Sequence, residues 1–242
     1  MSGHSKWAKL KHSKGALDAK KSAMFTKYGH ALTVAARDGG DPIMNFKLRM
    51  AIEKAREINM PKENIERSIK RGTGELGGVK PEDVVYEAFG PSGVALVIES
   101  LTDNKARTAG SLRRILKKYD GSLAGQNAVL WMFEHRGVIR IMNPPTDGQI
   151  ANLEDFQLRA IEMGAEDIQE EDDELVIYTK MEDLQKVKEG IEKEGIKIDY
   201  AELEWLPKDP VKVEESIQNR IDNLSAELDE DPDISDYYNN IK

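Results

Sequence analysis

The stretch Val84–Leu101, VVYEAFGPSGVALVIESL, is where the chain changes its period. Val84–Phe89 reads as a strand, Gly90-Pro91-Ser92-Gly93 as a turn, and Gly93–Leu101 as a buried strand rich in β-branched residues. Upstream, between Gly15 and Gly72, the period is helical. Helices followed by strands, rather than strict alternation of the two, indicate an α+β chain.

Upstream, Met24, Tyr28, Leu32 and Ala35 form one stripe of a helix that starts after Gly15 and runs to about Arg37. Asp38-Gly39-Gly40-Asp41-Pro42 stops it. A second helix begins at Asn45, an N-cap, with Leu48, Ala51, Ile52, Ala55 and Ile58 inward. Pro61 opens a third, Ile65 and Ile69 face inward, and Gly72 is its C′ residue. Short loops make these a three-helix bundle. Lys47, Arg49, Lys54, Arg56, Arg67, Lys70 and Arg71 lie outside it among Glu53, Glu57, Glu63 and Glu66, where helix-face salt bridges account for much of the charge. Gly72-Thr73-Gly74-Glu75-Leu76-Gly77 matches G-x-G-x-x-G, but it ends a helix where the dinucleotide motif must follow a strand and open one. It reads as a linker.

Downstream, Thr102-Asp103-Asn104 offers caps for a helix over about 105–119, with Leu112, Ile115, Leu116 and Tyr119 inward. At 100° per residue, Arg107, Arg114 and Lys118 fall within about 40° of one another on the opposite side, and Arg113 and Lys117 add a second stripe. Such a face is either solvated or in contact with phosphate, and it has almost no compensating acid. After a loop over 121–127, Ala128–Phe133 reads as a strand with Trp131 in the core rather than as a base-stacking platform. A strand over 138–142, a helix over 155–163 and a strand near Ile168 follow. An acidic turn, a strand over 175–179, a helix over 183–192 and a strand over 198–205 complete a β-α-β-β-α-β series, the ferredoxin-like unit. After Pro207 and Pro210 come a helix over 213–228 and an acidic end, Asp229–Lys242.

The whole chain of 242 residues carries a net charge of −9, unevenly distributed. Residues 1–80 hold 17 Lys and Arg against 8 Asp and Glu, residues 81–144 hold 8 against 7, and residues 145–242 hold 10 against 29. The first 27 residues, MSGHSKWAKLKHSKGALDAKKSAMFTK, have seven lysines and one acid. A cationic arm on an anionic protein points to dense phosphate, or else to a solvated tail; Trp7, His4 and His12 add groups that stack on bases or hydrogen-bond to them. The acidic half faces water, a protein partner or the basic half.

The absence of cysteine rules out disulfides, thiolate zinc sites and cysteine nucleophiles, and fits a reducing compartment. Apolar runs such as Val94–Ile98 are far short of a membrane span, and no apolar stretch follows the basic start as in a secretory signal. The cytoplasm is therefore the expected location. His4, His12, His30 and His135 lack metal-ligand spacing. Asp229, Asp231 and Asp233 imitate a calcium loop, but Ile234 replaces its glycine and Asn240 its closing glutamate. No P-loop, nucleophile elbow or other catalytic constellation appears, so the expectation is a non-enzyme without cofactor or metal.

Several blocks resemble one family. Gly3-His4-Ser5-Lys6-Trp7, Lys11-His12 and Phe25-Thr26-Lys27 closely resemble the opening of the YebC family. Ala35-Ala36-Arg37, Asn59–Ile65, Ile69–Gly72, Tyr86-Glu87 with Gly90-Pro91, Thr102-Asp103-Asn104 with Arg107-Thr108, and Trp131 with Phe133 are similar to it as well. The chain departs where members commonly have a glycine pair and a Gly-Ser-Val: here stand Tyr119-Asp120-Gly121 and Asn127-Ala128-Val129. Bacterial members are usually called probable transcriptional regulators, and mitochondrial relatives are translational activators of cytochrome oxidase.

The resemblance implies three domains: a helical one over 1–78 and two ferredoxin-like α/β domains. The third (135–206) is inserted in the second (79–134 plus 207–242), which the last helix returns to complete. It also implies regulation of gene expression through nucleic acid, first as a DNA-binding transcriptional regulator. The alternative is a ribosome-associated factor that contacts ribosomal RNA and assists translation of proline-rich stretches. The expected nucleic-acid-binding residues are His4, Lys6, Trp7, Lys9, Lys11, His12, Lys14, Lys20, Lys21, Lys27, Arg37, Arg71, Arg107, Arg113, Arg114 and Lys118. A metabolic enzyme, or an adaptor whose acidic half binds a basic protein, are the readings from other classes. Oligomeric state is open.

Overall fold

The computed structural model describes residues 17–76, 81–142, 150, 152–171 and 174–242. The hairpin at the change of period is present: β1 (Glu82–Phe89) and β2 (Ala95–Thr102) pair antiparallel from Glu82↔Thr102 to Phe89↔Ala95. The Gly90 N–H donates to the Val94 carbonyl at 2.8 Å across a turn in which Ser92 (φ 55°) and Gly93 (φ 76°) are left-handed. The helix α4 (Lys105–Lys118) starts at Asn104, whose side chain accepts from the Arg107 N–H. It buries Leu112, Ile115 and Leu116 against Leu96 and Ile98 of the sheet. β3 (Ser122–Leu123) flanks β1, and the chain then leaves this sheet after Leu130.

Residues 128–132 are not a strand. The buried Glu87 carboxylate accepts the N–H groups of Asn127 (2.6 Å), Val129 (2.6 Å) and Leu130 (2.8 Å), so these amides close a loop instead of extending a ladder. A 3-10 turn, Leu130–Met132, follows, and the next strand starts at Phe133. Trp131 is not a core residue either; it is 65% exposed. The two departures from the family's glycines carry left-handed backbone, Asp120 at φ 56° and Asn127 at φ 61°. Asp and Asn are the side chains that tolerate this region best.

Trp131–Pro210 form one compact unit of their own. Here β4 (Phe133–Met142), α5 (Leu153–Met163), β5 (Ala165–Glu171), β6 (Glu174–Thr179), α6 (Leu184–Lys193) and β7 (Tyr200–Pro207) follow the β-α-β-β-α-β order. Their sheet has the order β5-β6-β4-β7 with antiparallel pairs throughout. Ile139, Ile141, Phe156, Leu175, Ile177, Val187 and Ile191 form its helix-side core.

The second unit comprises the described residues up to Leu130 together with Val211–Ile241. α7 (Glu215–Glu230) packs Ile221, Leu224 and Leu228 into the core of the first sheet, and β8 (Ile234–Asn239) pairs with β2. The acidic end is thus largely built into the sheet. Tyr237 and Tyr238 are buried, and Asn240 Oδ1 accepts from the Ala95 N–H at 2.9 Å. This sheet has the order β3-β1-β2-β8 and its elements run β-β-α-β-α-β, so it is not a second ferredoxin-like unit. The tight β1–β2 hairpin puts consecutive strands side by side where a ferredoxin-like unit needs a helix between them.

The same unit contains the bundle: α1 (Leu17–Ala35), α2 (Phe46–Glu57) and α3 (Lys62–Thr73) around Leu32, Ala36, Leu48, Ile52, Ala55 and Ile65. Asn45 caps α2, accepting from the Leu48 N–H at 3.0 Å. Gly72 is not the C′ residue. It lies inside α3, and a Cβ there would stand 2.3 Å from the Thr33 carbonyl oxygen; the left-handed residue is Gly74. The missing side chain is what lets α3 approach α1. His30 on α1 ties the bundle to the approach to β8, with Nδ1 at 2.7 Å from Ser235 Oγ and Nε2 at 3.0 Å from the Pro232 carbonyl.

Candidate nucleic-acid interface

The expected phosphate-binding residues take three positions. His4, Lys6, Trp7, Lys9, Lys11, His12 and Lys14 lie outside the described residues, and Lys20, Lys21 and Lys27 lie on α1 with side chains outside them. Four others are committed to carboxylates of their own unit. Arg37 donates to Asp83 at 3.0 Å. Lys118, its ammonium 5.5 Å from the Tyr119 ring centroid, pairs with Glu227. Arg71 and Arg107 converge on one buried group, Asp233.

Asp233 stands at the entrance to β8. Its carboxylate accepts from Arg107 Nε (3.2 Å) and Nη2 (2.8 Å), from Thr108 Oγ1 (2.9 Å), from Thr102 Oγ1 (3.3 Å) and from Arg71 Nη2 (3.4 Å). Its own carbonyl accepts the Leu101 N–H at 2.9 Å. Burial alone would raise the carboxyl pKa. The Arg107 ion pair and the Thr108 hydroxyl outweigh it and hold the value below the ordinary 3.8. The same pairing raises Arg107, first through its hydrogen bond to Asp233. Arg107 and Arg71 thus clamp elements of the unit together through Asp233, while 53% of the Arg107 side chain stays exposed.

The other two, Arg113 and Arg114, point outward from α4 with Lys117 beside them, all exposed. Neither arginine forms a salt bridge among the described residues; Arg113 acts on Tyr86 and Arg114 on Glu227 through their fields alone. Leu112, Ile115 and Leu116 on the buried side fix this orientation. The bundle adds cations that sequence reasoning had assigned to salt bridges. Among the described residues its helices carry Lys62–Glu66 at 3.5 Å and Lys47–Asp38 at 3.7 Å, while Lys54, Arg56, Arg67 and Lys70 are exposed outside such pairs. Spacing alone could not show this: Arg56, Arg67 and Lys70 each have an acid one turn away in sequence, Glu53, Glu63 and Glu66, yet none of these pairs closes among the described residues, and Glu66 goes to Lys62.

The calcium-like aspartates are used within the fold. Asp231 accepts from Ser111 Oγ and the Asp233 N–H, and Asp229 from the Tyr237 hydroxyl. Among the described residues no cluster of three metal-ligating side chains is assembled. No described helix is long and apolar enough to cross a membrane.

Two family models match the chain: the TACO1/YebC protein N-terminal domain over residues 5–75, and the TACO1/YebC second and third domain over residues 81–241. A "Probable transcriptional regulatory protein" of Pseudothermotoga lettingae is 51% identical over 100% of this chain and 94% of the relative. One of the same description from Caldanaerobacter subterraneus is 46% identical, covering 100% and 98%. A crystal structure of a conserved hypothetical protein from Aquifex aeolicus superposes with a TM-score of 0.78 at 38% identity, covering 98% of this chain and 96% of that one. Matches that run the length of the chain in both sequence and fold place it: the chain belongs to the TACO1/YebC family.

Proposed function

We propose that this chain is a DNA-binding transcriptional regulator that acts in the cytoplasm and catalyses no reaction. The observation that carries the reading is the outward face of α4, where Arg113, Arg114 and Lys117 stand exposed and outside any salt bridge of the described residues. A cation already paired with a carboxylate gains little from phosphate. An unpaired one releases condensed counter-ions from the duplex, the main sequence-independent source of affinity. The exposed Arg56, Arg67 and Lys70 and the lysine-rich first 27 residues add to the same field. The regulatory names of the relatives support the biological role.

The test is affinity for duplex DNA as a function of salt. With about six phosphates neutralised, log affinity falls against log salt with a slope near −5, and Arg113→Ala, Arg114→Ala and Lys117→Ala together reduce that slope by about 3. A slope near zero for the unmodified chain refutes the reading. Firm co-sedimentation with ribosomes at physiological salt, with DNA binding indifferent to sequence, would move the target to ribosomal RNA.

A further inference from the structure

The two most exposed large hydrophobic side chains among the described residues are neighbours: Ile43 at 79% and Met44 at 84%. They form the tip of the α1–α2 connection, and that tip is held rigidly. The Asp41 carboxylate accepts the Ile43 N–H at 2.9 Å, and the Asp41 carbonyl accepts the N–H groups of Met44 (3.2 Å) and Asn45 (2.9 Å). Arg49 Nη1 donates to the Pro42 carbonyl at 3.1 Å. From below, the buried Asn45 side-chain amide donates to the carbonyls of Ala35 (2.7 Å) and Gly39 (2.8 Å). A loop that merely connects two helices does not need two apolar side chains locked outward on such a scaffold. At its root a cleft is lined by Pro42, Ile43, Arg49, Ile52, Glu53 and Arg56, and Lys47 and Lys54 lie exposed on the same helix.

We infer that Ile43 and Met44 are a wedge that enters an unstacked base step of duplex DNA, with the cations of α2 on the flanking phosphates. Proteins that kink DNA use Ile, Met and Pro for this purpose, beside Arg and Lys that face the backbone. The charge at the tip favours nucleic acid over an apolar protein socket: the cleft at its root carries Arg49 and Arg56 against Glu53, and Lys54 stands exposed on the same helix, while Lys47 is paired with Asp38. Flexible pyrimidine–purine steps would be entered most readily, which gives sequence preference without a base-edge contact. The inference rests on the DNA-binding reading and adds to it where the protein deforms the duplex.

The test uses the full chain and a duplex with 2-aminopurine at a central TA step. Binding of the unmodified chain should raise the fluorescence as the base unstacks. Ile43→Ala with Met44→Ala should cut that rise to under about a third and weaken binding about tenfold, with the salt slope unchanged. Ile43→Phe, which keeps an apolar wedge, should retain the rise. Salt-dependent binding with no fluorescence change in the unmodified chain overturns the wedge and leaves the DNA-binding reading standing. A change in the oligomeric state of the double variant without DNA assigns the tip to a protein contact and also overturns it. No salt-dependent binding removes both.

Discussion

Each unit of the chain encloses one buried charge between groups of opposite sign, and the two arrangements work differently. In the Trp131–Pro210 unit, Arg140 is 1% exposed, paired with Glu174 at 3.0 Å and Glu204 at 3.5 Å. All three lie on adjacent strands of one sheet, and Tyr200 presents its ring 5.9 Å from the guanidinium. In the other unit the signs are reversed: Asp233 is buried, and its partners Arg107 and Arg71 remain partly exposed at 53% and 28% of their side chains. Its partners come from helices far away in the chain, α3 and α4. Arg140 is a charge within a core, where desolvation is severe and the partners cannot reorient. Asp233 is a clamp that joins bundle, helix and last strand, and water still reaches one side of it.

The comparison predicts the largest loss at Arg140. Arg140→Ala strands two buried glutamates and should cost about 3–5 kcal/mol in urea unfolding of the full chain, while Arg140→Met with Glu174→Leu and Glu204→Leu should recover most of it. If Arg140→Ala were mild, water would be reaching the trio and the contrast would collapse.

Asp233→Ala should cost less, about 2–3 kcal/mol, because Arg107 and Arg71 can turn to solvent. Its pH dependence separates the two sites further. Asp233 is held below 3.8 in the fold, so its contribution is fully present above that value and is lost as pH falls through the lower, folded pKa. Melting curves of Asp233→Asn should therefore converge with those of the unmodified chain below about pH 3.8, rather than run parallel to them.

Gly72→Ala asks whether the clamp depends on the fit of the bundle, since Gly72 is next to Arg71. Helix propensity favours alanine by about 1 kcal/mol. A Cβ at 2.3 Å from the Thr33 carbonyl oxygen forces α3 away from α1, and overpacking of this kind costs about 1–3 kcal/mol, so a net loss should be seen in the same unfolding assay. The smallest effect on stability belongs to Arg113→Ala with Arg114→Ala and Lys117→Ala, which should shift the melting temperature by less than about 2 °C while weakening DNA binding. A large shift there would mean that these cations, like Arg107, serve the fold.

Much of the fold was legible in the sequence. The hairpin at 84–101, the caps Asn45 and Asn104 and the helix–strand order of 133–207 are set by period and local hydrogen bonding. β8 escaped because Ile-Ser-Asp-Tyr-Tyr-Asn has no clean period of two in an acidic context, and its register comes from β2 more than a hundred residues earlier. Trp131 was misplaced because an apolar run, Ala128–Phe133, imitates a buried strand, whereas the Glu87 carboxylate captures its amides.

By itself the sequence determined the helices, the strands with a clean local period and where cations concentrate, since these depend on neighbours within a turn or two. Tertiary structure alone decided which cations remain available. Arg107 and Arg114 lie on one stripe of one helix, yet Asp233, 126 residues from Arg107, captures the first and leaves the second exposed. An ion pair depends on distances in space, and no local period encodes them.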